Sequence, residues 1–320
     1  MLTVLIATYN GAKTLPEVFS AYCALEPPDG GWKLVIVDNG STDQTKDVIA
    51  AFHSRLPLTY LYEPKEGKNA ALNTGLSSLS GDLVVLTDDD VLPRSDWLRH
   101  LRVAANAQPL YAIFGGPILP KWELPAEDWI LTWVPKGPTF SILDSREEGP
   151  INPRLIFGPN MVVRTRIFES GYRFDEGIGP KGSDYAMGSE GEFLRRLAKA
   201  GFRAWHCRNA IVEHIIRSFQ MDKEWVLARA VRYGRGQYRL AAEESPSPPA
   251  TLLGIPMSLL WHILAQGLRL GCAKLSSDRK KVFRAQWQLN VLVGKSIEAR
   301  RLYQERASSG FHGRGRAGGE

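Results

Sequence analysis

Cysteine is scarce. Three residues in 320, Cys23, Cys207 and Cys272, lie too far apart for a zinc knuckle, a C-x-x-C redox pair or a disulfide framework. A reducing compartment is the expected setting. A glycine-rich phosphate loop is missing as well: the first strand–helix turn reads ATYNGAKT, with one glycine, so neither G-x-G-x-x-G nor G-x-x-x-x-G-K-[ST] is present there. This disfavours a nicotinamide-type Rossmann enzyme and a P-loop NTPase. No internal repeat is found, and no stretch interleaves basic with aromatic residues as an RNA platform does. The amino terminus, MLTVLIATYN, has neither a basic segment nor a cleavage site, so no signal peptide is expected. With 44% hydrophobic and 23% charged residues, wholesale disorder, collagen and coiled coil are excluded too. The length suits about two average domains, or one large α/β domain with an appendage.

The net charge of +6 is unevenly placed. Residues 269–320 hold 12 Lys and Arg against 4 Asp and Glu, a net of +8, which leaves 28 basic and 30 acidic residues, a net of −2, in residues 1–268. A nearly neutral body with a cationic tail argues against nucleic acid as a partner and for a tail that meets something anionic.

Apolar runs at 3–7 (TVLIA), 34–37 (LVIV), 58–62 and 82–86 (DLVVL) predict buried strands. Helical stretches at 14–25, 44–55 and 68–79 separate them, which predicts crossover connections and a parallel sheet. Further strands are expected at 111–115, 156–164 and 210–215, and helices at 190–200 and 223–242. Residues 116–155, rich in Pro, Trp and charge, read as a long loop or lid. Ser245-Pro246-Ser247-Pro248-Pro249 reads as a hinge, two apolar-striped helices follow it, and the Gly/Arg/Ser tail from Ser308 reads as disordered. The expected division is 1–244 for the α/β domain, 245–307 for a helical extension and 308–320 for the tail.

Ligands of an open parallel sheet bind at the carboxyl ends of its strands. Three polar groups directly follow strands here: Thr8-Tyr9-Asn10, Asp38, and Asp88-Asp89-Asp90. Asp38 alone also suits a turn. Three consecutive aspartates repel one another and raise each other's pKa unless a cation or an arginine neutralises them. Oxygen ligands of this kind suit Mg²⁺ or Mn²⁺ shared with the phosphates of a substrate; a solvated acidic turn is the alternative.

Six segments, LIATYNGAKTL, VIVDNGSTDQT, EGKNAALNTGL, GDLVVLTDDDVLP, FGPNMVVRTRIFESGYRFDEGIG and MGSEGEFLRRLAKAGFRAWHCRNAIVEH, follow one another across roughly residues 1–240. In this order and spacing the sequence resembles the family 2 glycosyltransferases. The resemblance implies a GT-A fold, a mostly parallel Rossmann-like sheet flanked by helices, and an inverting transfer from a nucleotide-diphosphate sugar with Mg²⁺ or Mn²⁺. Carried over position by position, it implies that Thr8, Tyr9 and Asn10 line the base and ribose pocket and that Asp38 bonds the base or ribose. Lys68 and Asn73 would approach the nucleotide and its diphosphate. Asp88, Asp89 and Asp90 hold the D-x-D position, where Asp88 and Asp90 fit the spacing and the run allows a shift by one. Gly158, Pro159 and Asn160 would lie beside the donor sugar, Glu190 would be the catalytic base, and His214 an additional metal ligand. Two departures stand out. The proline common before Thr-Tyr-Asn is missing, and the usual Glu-Asp pair is Ser189-Glu190 here, with Glu192 two residues on, so the base is Glu190 or Glu192.

Inverting displacement needs one base to take the proton of the attacking hydroxyl, while the leaving diphosphate needs only charge stabilisation. Glu190 also suits a first-turn residue favoured by the helix dipole, and His214 suits a core histidine equally well. Asp175 and Glu176 read as turn residues. Trp122, Trp129 and Trp133 read either as an acceptor-site lid or as core. Two rival functions are a sugar-nucleotide-forming nucleotidyltransferase, which would need a glycine- and arginine-rich first loop, and an inactive sugar-nucleotide-binding module.

Residues 251–268 (TLLGIPMSLLWHILAQGL) carry no charge. As one helix they would measure about 27 Å, barely a membrane span. Leu252, Leu253, Pro256, Leu260, Ile263, Leu264 and Leu268 fall on one face, and Ser258, His262, Gln266 and Arg269 on another. This predicts an in-plane amphipathic helix backed by the cationic tail at an anionic leaflet, with peripheral contact through 251–293. Packing on the α/β domain and a true span are the alternatives. The expected acceptor is a saccharide or lipid-linked saccharide of an envelope or exported polysaccharide, and the expected location is cytoplasmic, on the inner face of the cytoplasmic membrane.

Overall fold

The computed structural model describes residues 1–144, 147–182, 184–244 and 250–312. They fall into two compact units, the first comprising Met1–Pro125, Lys136–Ser183 and Ser189–Ser218. Its strands are β1 (Leu2–Thr8), β2 (Trp32–Asp38), β3 (Leu58–Tyr62), β4 (Leu83–Asp88), β5 (Val91–Pro93), β6 (Ile113–Gly115), β7 (Ile118–Trp122), β8 (Gly149–Ile151), β9 (Met161–Arg164), β10 (Ala204–His206) and β11 (Val212–Ile216). One sheet has the order β3-β2-β1-β4-β9-β6-β10-β8 and a second the order β5-β11-β7. In the larger sheet the four strands expected from the apolar runs run parallel, β9 enters antiparallel between β4 and β6, and β6 and β10 pair in parallel beyond it. Side chains alternate across the sheet. Leu2, Val4 and Ile6 join one apolar cluster with Leu15, Phe19 and Trp97, while Leu5, Val35 and Val37 join another with Phe193. Burial on both faces is why these strands read as unbroken apolar runs.

Helices α1 (Leu15–Cys23), α2 (Thr45–Phe52), α3 (Lys68–Gly75) and α4 (Trp97–Ala107) belong to this unit, with α6 (Lys136–Phe140), α7 (Thr165–Glu169) and α8 (Ser189–Lys199) further on. Two expectations are corrected, and one helix is added. Residues 116–155 are no structureless lid: they carry β7, the helix α5 (Asp128–Trp133), α6 and β8, with 145–146 outside the described residues. The strand expected at 156–164 is only Met161–Arg164, because Gly158-Pro159-Asn160 forms a 3₁₀ turn. Helix α4 went unforeseen, although Trp97, Leu98, Leu101 and Ala105 are spaced as one buried face.

The second unit comprises Ala126–Pro135, Asp184–Gly188 and Phe219–Glu320. Besides α5 it contains α9 (Lys223–Ala242), a hairpin of β12 (Thr251–Leu252) and β13 (Ile255–Pro256), α10 (Met257–Leu275) and α11 (Arg279–His312). Helix α9, expected inside the 1–244 domain, thus groups with the C-terminal helices. It packs closely on α11, since a Cβ on Gly234 would lie 2.0 Å from the Val291 carbonyl oxygen. The fully buried Glu298 of α11 accepts from Arg235 Nε at 3.1 Å and from Arg301 at 2.5 Å. The uncharged stretch 251–268 is not one helix. Its first third is the hairpin, turned at Leu253 and Gly254 with φ +52° and +81°, a two-residue turn of the kind that favours the sheet's twist. Gln266, expected on the polar face, is buried and donates to the Ala285 carbonyl at 3.2 Å. Met257, Trp261, Leu264, Leu268 and Leu275 are exposed instead. Helix α11 runs past Ser308 to His312, while the hinge at 245–249 and residues 313–320 lie outside the described residues. No described helix is long and apolar enough to cross a membrane.

Candidate active site

The register opposes Thr8 to Asp38 and Ala7 to Asp88, which brings the carboxyl ends of β2, β1 and β4 side by side. The three aspartates at the end of β4 then diverge. Asp88 Oδ1 accepts from Lys68 Nζ at 2.6 Å, Asp89 Oδ2 accepts from Thr8 Oγ1 at 2.5 Å, and Asp90 Oδ2 lies 3.2 Å from His214 Nε2. Pairing of β5 with β11, which sets Val91 opposite His214, delivers the imidazole to Asp90. The His214 Nδ1–H donates to the Phe140 carbonyl at 2.7 Å. Burial raises Asp88 and Asp89, the latter to about 7 with help from the neighbouring Asp90 charge. Burial acts on Asp90 too, but His214 holds it below the usual carboxylate range, and Asp90 in turn raises His214 against its own burial.

Glu190 stands in the first turn of α8, with Oε1 2.9 Å from Lys68 Nζ and Oε2 accepting from Ser189 Oγ at 2.9 Å. Lys68 therefore bridges Asp88 and Glu190. Burial opposes the charge of Glu190, yet the Lys68 ammonium keeps its carboxyl at about 2; the two carboxylates likewise raise Lys68 against its burial. Gly158 lies against this carboxylate, for a Cβ there would come 2.5 Å from Glu190 Oε1. Glu192 is buried elsewhere, in a two-pronged ion pair with Arg196 at 2.5 and 2.8 Å. Of the two glutamates, only Glu190 is grouped with Lys68 and Asp88.

Asp38 is buried and accepts from the Ser41 N–H at 2.9 Å and the Tyr60 hydroxyl at 3.2 Å; burial and this carboxylate push Tyr60 up to about 12. Tyr9 is exposed. Asn10, at φ +54°, donates its N–H to Ser41 Oγ at 2.9 Å and accepts from the Thr42 N–H at 2.8 Å, tying the first loop to the second. Two of the expected contact residues have protein partners here. The Asn73 amide is engaged by the 174–176 turn, through Phe174 and Glu176. Asn160, 1% exposed, donates to the Pro117 and Ala210 carbonyls and accepts from Trp97 Nε1, so its side chain is a core fastener. Asp175 and Glu176 do form a turn, with Glu176 on Lys65 and Asn73. Trp122 packs edge-on against Phe140 at 5.5 Å.

Sequence reasoning missed Asn39. Its side chain donates to the Glu63 and Lys65 carbonyls and accepts from the Gly67 N–H, shaping the loop that delivers Lys68. An amide immediately after a strand-end aspartate was the available signal.

Residues 3–170 match glycosyl transferase family 2, more than half of the chain. The chain belongs to this family. Among its relatives, glycosyltransferase AglE of Haloferax volcanii is 25% identical over 242 residues, 75% of this chain and 73% of AglE. The pre-mycofactocin glycosyltransferase of Mycobacterium tuberculosis is 24% identical over 277 residues, 84% of this chain but only 54% of that relative. Among solved structures, this family 2 glycosyltransferase resembles mannosyltransferase PcManGT from Pyrobaculum calidifontis, in complex with GDP-Man and Mn²⁺, with TM-score 0.61 and 19% identity, covering 93% of this chain and 86% of that one. S. aureus TarS, in complex with UDP-GlcNAc, gives a TM-score of 0.54 at 14% identity over 97% and 92% of the chains. The family 2 enzyme has the GT-A fold, and the nucleotidyltransferase alternative is set aside.

Proposed function

We propose that this glycosyltransferase moves a sugar from a nucleotide-diphosphate donor to a hydroxyl of a saccharide or lipid-linked saccharide, with inversion at the anomeric carbon, in envelope or exopolysaccharide synthesis. The observation that carries the reading is the Lys68 bridge between Asp88 and Glu190 at the strand-end crevice. Glu190 is the base. As the acceptor oxygen bonds to the anomeric carbon, its proton passes to the Glu190 carboxylate, and the bond from that carbon to the diphosphate oxygen breaks. Lys68, adjacent to both carboxylates, offers its ammonium to the departing diphosphate. Thr8, Tyr9, Asn10 and Asp38 hold the nucleoside. A donor complex with GDP-Man in one structural relative and UDP-GlcNAc in another supports a nucleotide-sugar donor.

A divalent cation fits the donor set. Asp90 Oδ1 is buried and has no hydrogen-bond partner, and the His214 imidazole lies beside the same carboxylate. Among the described residues no three His, Cys, Asp or Glu side chains form a ready cage, so a cation here would also draw on oxygens of the donor phosphates. Asp90 and His214 would hold Mg²⁺ or Mn²⁺, with Asp88 and Asp89 turned to Lys68 and Thr8, and the bound cation would offset the negative charge of the leaving diphosphate.

Peripheral membrane contact rests on the stripe Met257, Trp261, Leu264, Leu268 and Leu275 and on the hairpin tip, where Leu253 is 77% exposed. Arg269, Lys274, Arg279, Lys280 and Lys281 follow within the same segment. An apolar stripe bordered by cations suits an anionic leaflet, here the cytoplasmic one.

The test is a thermal-shift screen of UDP, GDP, dTDP and CMP, each with and without Mn²⁺. Binding to the native state alone raises stability by RT ln(1 + [L]/Kd), so one base should stand out and only with the cation. No stabilisation by any nucleotide would overturn the reading.

A further inference from the structure

The helical unit carries a cleft of about 850 Å³ that shares no residue with the strand-end site. Its wall is aromatic: Trp129 and Trp133 of α5 and Phe283 of α11 meet with centroids 5.6 to 6.5 Å apart. The rings are inclined at 46° to 63°, and none is stacked face to face on another. Both indoles are half-buried, with Phe283 buried beneath them. Both indoles line the cavity, so part of each ring system is left for a ligand.

The rim is charged with both signs. Glu127, Asp222, Lys223 and Arg279 line the cleft, two carboxylates against two cations, and among the described residues their side chains make no hydrogen bond or ion pair. Asp222 occupies the N-cap position of α9 without capping it, although a carboxylate there ordinarily accepts from the first-turn N–H groups.

The ligand must suit both features. A lipid chain would cover the aromatic wall but strip water from two carboxylates and a guanidinium with nothing in return. A polyanion such as a nucleotide would gain no net attraction, since the like charges of Glu127 and Asp222 offset Lys223 and Arg279. A pyranose ring has an apolar face of axial C–H groups and an edge of hydroxyls that both donate and accept. The face lies on an indole, and the edge bonds carboxylate and guanidinium alike.

We propose that this cleft is a second, non-catalytic saccharide-binding site that takes uncharged sugar units. Taking these units to be part of the growing acceptor chain rests on the saccharide-acceptor reading above; the binding itself does not.

The experiment is titration of the full chain with maltotetraose, cellotetraose, mannotetraose and chitotetraose, followed by indole fluorescence, in the absence of donor. At least one should bind. Trp129→Ala should then weaken it about tenfold or more, the loss of one stacked face. Asp222→Asn and Glu127→Gln, exposed and close in size to the native residues, keep the fold and should each weaken the same oligosaccharide severalfold. The thermal shift with nucleotide should stay unchanged in all three variants, which separates failure of this site from failure of the donor site. Binding by none of the four sugars would overturn the proposal, as would sugar binding indifferent to all three substitutions. Quenching by lysophosphatidylglycerol with no sugar effect would assign the cleft to a lipid instead.

Discussion

The ammonium of Lys68 lies 2.9 Å from the carboxylate of Glu190, a residue 122 positions further along the chain. The same ammonium is 2.6 Å from Asp88, so one cation serves the base of the proposed reaction and the turn that would face the diphosphate. Replacing it should therefore disturb both halves of the chemistry. In Lys68→Met, burial acts on Glu190 with only the Ser189 hydroxyl and a backbone hydrogen bond against it, and its pKa rises from about 2. The base must be ionised to work, so the acid limb of the kcat/KM profile should move to higher pH, and donor affinity should fall. An unshifted acid limb would show that Lys68 does not govern the base.

Metal dependence follows from Asp90. Asp90→Asn keeps the size of the side chain and removes the charge beside His214. Turnover should drop by about two orders of magnitude or more, while the thermal midpoint without ligand changes little. Wild-type enzyme treated with EDTA should be equally inactive and recover with Mn²⁺ or Mg²⁺. Full activity in EDTA would contradict the metal role.

Asn160 should behave as a fold residue. Asn160→Ala leaves the Ala210 carbonyl and the Trp97 N–H without their partner in the core, while the Pro117 carbonyl keeps the Val212 N–H. The expected cost is about 1–3 kcal/mol for each buried group that finds no other partner. Denaturant unfolding should show a large loss of stability, and the surviving folded enzyme should keep its donor affinity.

The exposed stripe of α10 predicts salt-resistant membrane binding. Full-length protein should sediment with vesicles containing phosphatidylglycerol, less so at high salt because each Lys or Arg near the surface contributes about 1 kcal/mol that salt screens. The triple variant Trp261→Ser, Leu264→Ser, Leu268→Ser removes only exposed side chains, so it should stay folded and lose the salt-resistant fraction. Unchanged binding by this variant would place the contact elsewhere.

The first four strands were legible because burial on both faces leaves Val, Leu and Ile in unbroken runs, as in VLI of β1 and VIV of β2. Their strand-end residues were legible for the same reason, since a polar group directly after such a run must lie at the sheet's edge. Strands β5 and β10 have three residues each, too few to show a period, and β5 is the element that brings His214 to Asp90. Asparagines were the hardest to read. A side-chain amide serves a ligand or a carbonyl equally well, and only the fold reveals that Asn73 and Asn160 are already engaged. The register of the base was open because Glu190 and Glu192 differ by two positions on one helix; the pairing of Glu192 with Arg196, one turn on, was readable as an i, i+4 contact. The amphipathic reading of 251–268 failed where it assumed one continuous helix, since the Leu253-Gly254 turn shifts the phase of everything after it.

The most direct measurement is single-turnover kinetics of Glu190→Gln with the donor found by the nucleotide screen. The amide keeps size and hydrogen bonding but cannot take a proton. Turnover should fall by about 10²–10⁴-fold, with the donor Kd within a few-fold of wild type, and Glu192→Gln should retain chemistry. Near wild-type turnover in Glu190→Gln, with loss of turnover in Glu192→Gln, would contradict the assignment of the base.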